Sequence, residues 1–134
     1  MMADAVTIYL CVTCRRKTGE AEGDFDLPGR ILAARLARAI TSRSRNCTID
    51  VVPVECLAVC KRPSTLALAA EGKWTYLVGD LDPEMHVGEI IAAAEKYGAS
   101  ADGIVPWKER PPAFRKGVIA RVPPLAFPHS NGAQ

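Results

Sequence analysis

The chain has 134 residues, 49% apolar and 24% charged, with a net charge of +2, enough for one domain with a core of its own. No apolar run approaches the roughly 18 residues of a membrane span, and the opening Met-Met-Ala-Asp-Ala-Val-Thr has no basic stretch leading into an apolar one, so neither a membrane nor a secretory signal is expected and the expected compartment is the cytoplasm. Twelve basic and thirteen acidic residues fall in 1–98, five basic and two acidic in 99–134, an imbalance too small to point to nucleic acid.

Residues 7–11, Thr-Ile-Tyr-Leu-Cys, read as a short buried strand rich in β-branched and aromatic side chains. The polar stretch 15–26, with Gly19 and Gly23, reads as a loop. Pro28 suits the first turn of a helix. Ile31, Leu32, Arg35, Leu36, Ala39 and Ile40 then recur at helical spacing, and the helix fades near Ser44. Residues 48–54 form a second strand and lead into a loop, 56–64. Residues 65–70 and 74–78 are two more strands, joined by a tight turn at Glu71-Gly72-Lys73. Asp82 and Pro83 have the order of an N-cap and first helical residue. That helix is expected to run past Ile90 and Ala94 and stop at Gly98.

The order is β-α-β, then β-β-α. The first unit implies a right-handed crossover and a parallel strand pair. The expected fold class is α/β, a sheet covered by helices, with the domain at 5–98. Six of the ten prolines lie in 99–134, which reads as an extended basic arm whose last residues, from Pro128, are not expected to be ordered. Trp107, Phe114, Val118, Ile119 and Phe127 can pack the arm onto its own domain. Alternatively, Trp107, Arg110, Arg115 and Arg121 can clamp a partner or a second copy of the chain in a homodimer.

The chemistry is in the cysteines. Cys11-Val-Thr-Cys14 is a C-x2-C pair and Cys56-Leu-Ala-Val-Cys60 a C-x3-C pair. Each starts where a strand ends. Four thiolates from two strand ends can close around zinc or an iron–sulfur cluster. The only histidines, His86 and His129, are far from both pairs in sequence, which makes a mixed Cys/His zinc site less natural. A dithiol oxidoreductase is the weaker alternative, because Cys14 runs into a polar loop and not into the helix N-terminus that lowers a thiol pKa. Cys47 lacks a close partner and reads as a buried structural thiol. No nucleophile–base set, paired acids or phosphate-cradling glycine loop is visible, so an enzyme is not expected.

Cys56 to Pro63 followed by Thr65-Leu-Ala-Leu resembles the second ligand pair of thioredoxin-like 2Fe–2S ferredoxins, in which a C-x3-C loop precedes a β-hairpin and a final helix. The whole chain resembles a bacterial family of small predicted metal-binding proteins, catalogued as a domain of unknown function (DUF1636-like). That likeness rests on Cys11-Val-Thr-Cys14-Arg15, on Val105-Pro-Trp-Lys-Glu-Arg-Pro111 and on Ala120-Arg-Val-Pro-Pro124. It implies a thioredoxin-like fold of ferredoxin type, a 2Fe–2S cluster, and Cys11, Cys14, Cys56 and Cys60 as ligands. The chain departs from the ferredoxins in its closer first pair and in having Ala58-Val59 where glycine is common. Cys47 is therefore kept as a substitute ligand. A zinc or other metal-binding module in metal handling is the rival, and the family's association with cobalamin or cobalt metabolism bears on it.

Arg15, Arg16 and Lys17 follow the first pair, and Lys61 and Arg62 the second. Converging, they would ring an anionic centre with cations and suit an acidic redox partner. They would also raise its reduction potential.

Overall fold

The computed structural model describes residues 5–13, 16–17, 23, 25–43, 48–55, 57 and 64–124. Strand β1 (Val6–Cys11) is followed by two short strands, β2 (Arg16–Lys17) and β3 (Phe25–Asp26). Helix α1 (Pro28–Arg43) leads to β4 (Ile49–Val54). Then come β5 (Leu66–Ala69), β6 (Thr75–Val78) and helix α2 (Val87–Ala99). A 3-10 turn (Trp107–Glu109), the single turn α3 (Ala113–Lys116) and β7 (Val118–Val122) complete the described elements.

The five-stranded sheet has the order β4-β1-β5-β6-β7. β1 pairs parallel with β4, as the β-α-β order implies, and every other pair in the sheet is antiparallel. Val6, Ile8 and Leu10 of β1 are fully buried. With Leu32 and Leu36 of α1 and Ile90, Ile91, Ala94 and Tyr97 of α2, they form one core cluster. α1 and α2 touch each other and both touch β1, so the two helices share one face of the sheet. Alternation explains the rest of β1: Thr7 and Tyr9, pointing to the other face, are more exposed.

Three expectations are corrected. The stretch 15–26, expected to be a loop, contains the β2–β3 ribbon, with Arg16 opposite Asp26 and Lys17 opposite Phe25. The last helix begins at Val87 and not at Pro83. Asp82 does cap, but it caps a separate turn: its Oδ1 accepts the N–H groups of Glu84 (2.7 Å) and Met85 (3.0 Å). His86 Nδ1 accepts the N–H of Asp82 at 2.8 Å, which closes that turn before the helix starts. At the other end Gly98 lies inside α2, and Ser100 is the C-cap, its N–H reaching Lys96 O and Tyr97 O.

The third correction concerns 99–124. It packs on its own domain through Phe114 and Val118, as one of the two readings expected, and what is corrected is its being only an extended arm, since it also adds a strand to the sheet. β7 pairs with β6 along 118–122, and Phe114 and Val105 join the core. Its three arginines find partners within the chain. The Arg110 guanidinium lies 5.4 Å from the Tyr76 ring centre and donates to Val105 O at 2.8 Å. Arg121 lies 5.3 Å from the Trp74 ring centre, and Arg115 donates to Trp107 O and Lys108 O. Proline removes helix and sheet donors, so the six prolines signal irregular backbone. They leave 118–122 uninterrupted, and that proline-free run becomes the strand. Phe127 and the residues from Pro128 lie outside the described residues.

Candidate metal centre

The register places Cys11 opposite Val54 of β4. Its N–H reaches Thr65 O on the other side at 3.1 Å, and Val12 N–H reaches Val54 O at 3.0 Å. β1 and β4 are parallel, so both finish at one edge of the sheet. β5 is antiparallel to β1, with Leu66 opposite Leu10, so it starts from that same edge. The connection between Glu55 and Ser64, which contains Cys56 and Cys60, therefore departs and returns beside Cys11. β6 also ends there, with Val78 opposite Leu66.

Cys11 is 1% exposed. Its Sγ donates to Glu55 O at 3.6 Å, and the Thr13 hydroxyl donates to the same carbonyl. The β1 and β4 ends are thus tied together beyond the last ladder bond. Behind Cys11 stands the first turn of α1. A Cβ on Gly29 would lie 1.8 Å from the Cys11 carbonyl oxygen and 2.9 Å from its carbon, so only glycine lets the helix approach this closely. The sequence separates Cys14 from the helix by a polar stretch, yet the fold brings the helix N-terminus back to the backbone of Cys11.

The same edge concentrates backbone strain. Among the described residues, Ser64 (φ 61°) and Asp80 (φ 59°) are the non-glycines with left-handed backbone. One hydrogen bond joins their segments, from Leu81 N–H to Ser64 O at 3.4 Å. Ser64 is 1% exposed, and its Oγ is buried without a hydrogen-bond partner. A buried hydroxyl donor of this kind suits a site that holds a group rich in acceptors. A buried thiol at a strand end, a helix N-terminus packed on the same backbone and an orphaned donor are features that suit a sulfur-ligated metal or cluster.

Of the cysteines read from the sequence, Cys11 is described. Cys14, Cys47, Cys56 and Cys60 lie outside the described residues, as do Arg15, Lys61 and Arg62 of the cationic rim. Arg16 and Lys17 stand in β2, five and six residues past Cys11. Among the described residues, no three His, Cys, Asp or Glu side chains gather to hold a metal. His86 has its Nδ1 lone pair occupied by the Asp82 N–H. It lines a separate cleft of about 310 Å³ with Asp80 and Lys116 at the same edge. Gly29 and Ser64 were not singled out by the sequence. A glycine at the second position of a helix after Pro28 was the available signal for the first. For Ser64 there was none.

A family model described as "Protein of unknown function (DUF1636)" matches residues 8–124. Among solved structures, the chain is similar to a thioredoxin-like [2Fe-2S] ferredoxin from Aquifex aeolicus. The two are 20% identical, the match covers 93% of this chain and 100% of that one, and the TM-score is 0.58. At this identity the likeness shows the fold, and the α/β fold of thioredoxin-like ferredoxin type expected from the sequence is borne out. No curated protein matches the chain.

Proposed function

The chain belongs to the DUF1636 family, and we propose that it is a small electron carrier, not an enzyme, holding a 2Fe–2S cluster on Cys11, Cys14, Cys56 and Cys60. The observation that carries this reading is the placement of Cys11. It is buried at the end of the interior strand β1, on the edge where both ends of the Cys56–Cys60 loop also lie. The similar Aquifex protein is a ferredoxin with a 2Fe–2S cluster, which favours a cluster over a lone metal ion.

Such a cluster takes up and releases one electron at a time without breaking ligand bonds. The chain's residues supply the surroundings. Burial of Cys11 keeps water from one ligand. The helix N-terminus behind Gly29 and the rim of Arg15, Arg16, Lys17, Lys61 and Arg62 offset the negative charge of four thiolates, which grows on reduction. The same rim would dock an acidic redox partner.

Anaerobic expression or reconstitution tests the reading. The protein should be reddish-brown, hold two irons and two sulfides per chain, and bleach with dithionite. Serine at Cys11, Cys14, Cys56 or Cys60 should strip the colour, and Cys47→Ser should keep it. Colourless protein with stoichiometric zinc would favour a zinc-binding module in metal handling. Loss of colour in Cys47→Ser with retention in Cys14→Ser would replace Cys14 with Cys47 in the ligand set.

A further inference from the structure

We infer that the Ser64 hydroxyl donates a hydrogen bond to a metal-bound sulfur, either thiolate or bridging sulfide, when the centre is loaded. This rests on the reading above. Two unfavourable features meet in Ser64. Its hydroxyl is buried with no partner, which leaves the cost of desolvating it uncompensated. Its backbone has φ 61°, a region that also disfavours a residue with a Cβ. Glycine would relieve both at once, and the chain has serine.

Position suggests the acceptor. Ser64 closes the loop of Cys56 and Cys60, four residues past Cys60. Its neighbour Thr65 accepts the Cys11 N–H, so Ser64 stands one residue from the backbone partner of a proposed ligand. Its own carbonyl accepts the Leu81 N–H, which holds the residue in place. Metal-bound sulfurs keep lone pairs after coordination and accept O–H donors. A donor there draws charge from sulfur and stabilises the more negative reduced state, so it raises the reduction potential.

The test compares wild type with Ser64→Ala and Ser64→Gly, the second chosen because glycine accepts the left-handed backbone. Each is measured without metal, with zinc alone, and with the reconstituted cluster. Without metal, Ser64→Gly should melt at or above the wild-type temperature, because an orphaned donor and a strained backbone are both removed. With zinc, both variants should bind about tenfold more weakly, the size of one hydrogen bond to a charged group. With the cluster, both should have a more negative midpoint potential at unchanged iron content. Unchanged zinc affinity and potential in the variants would overturn the inference and leave the electron-carrier reading standing. A metal-free Ser64→Gly that melts well below wild type would also overturn it, by showing that the hydroxyl already has a partner such as an internal water. A wild-type chain that takes up neither zinc nor cluster would end both proposals.

Discussion

Gly29 and Cys11 are in backbone contact: a single Cβ on Gly29 would stand 1.8 Å from the Cys11 carbonyl oxygen. The first turn of α1 is therefore seated on the strand end that carries the proposed first ligand. Gly29→Ala must push one element off the other. Backbone cannot yield as a flexible side chain can, and the expected loss is about 3 kcal/mol or more. Urea denaturation of the metal-free protein would measure it. A loss below about 1 kcal/mol would mean that α1 is not seated this tightly.

Lys73 is 2% exposed although it stands in the β5–β6 turn. Its Nζ donates to Gly98 O at 2.7 Å and Tyr97 O at 3.3 Å. A cation on the terminal carbonyls of a helix satisfies acceptors that lack intrahelical partners and opposes the helix dipole. Lys73→Met keeps the apolar stem and removes the donor. It should destabilise by about 2 kcal/mol and speed amide exchange in the last turn of α2. Exchange unchanged relative to wild type would contradict this capping role.

Burial pushes the Tyr97 phenol from 10.0 up to about 12, and its hydroxyl donates to Trp74 O. The sign follows. Below pH 10 both folded and unfolded states keep the proton, and the stability is fully present. Between pH 10 and 12 the unfolded state gives it up while the folded state holds it, so stability falls as pH rises through this window. Tyr97→Phe should flatten that part of the alkaline melting curve. It should also lower stability at neutral pH, because the bond to Trp74 is lost. Parallel alkaline curves for the two proteins would rule out Tyr97 as the cause.

Residues 104–124 supply Val105 and Phe114 to the core and β7 to the sheet. Phe114→Ala should cost about 3 kcal/mol. Deleting 104–134 should leave a remnant that does not give a cooperative melting transition, since β6 would lose one of its two partner strands and the core would lose Val105 and Phe114. A soluble, cooperatively melting remnant would return the segment to the role of a dispensable arm.

If the cationic rim tunes the proposed cluster, reversing two charges should lower its potential. Arg15→Glu with Lys61→Glu should shift the midpoint negative, more at low salt than at high salt because exposed charges are screened. Redox titration at two ionic strengths would read the shift. An unchanged midpoint would confine these residues to solvating their loops.

The sequence by itself determined the order of the main elements, because hydrophobic period and turn residues act over a few neighbours. β1, α1, β4, β5 and β6 fall within a residue or two of their expected places, and the β-α-β order alone implied the parallel pair. It also marked Cys11 as chemically special, since spacing is a property of the chain. Only the tertiary structure decided what surrounds that residue. That β7 closes the sheet, that Lys73 caps a helix 25 residues later, that Gly29 lets α1 reach Cys11 and that Ser64 is buried without a partner all depend on contacts between segments distant in sequence. Local propensity carries no record of them, because the same residues in isolation would be a solvated turn, a helix start and a loop.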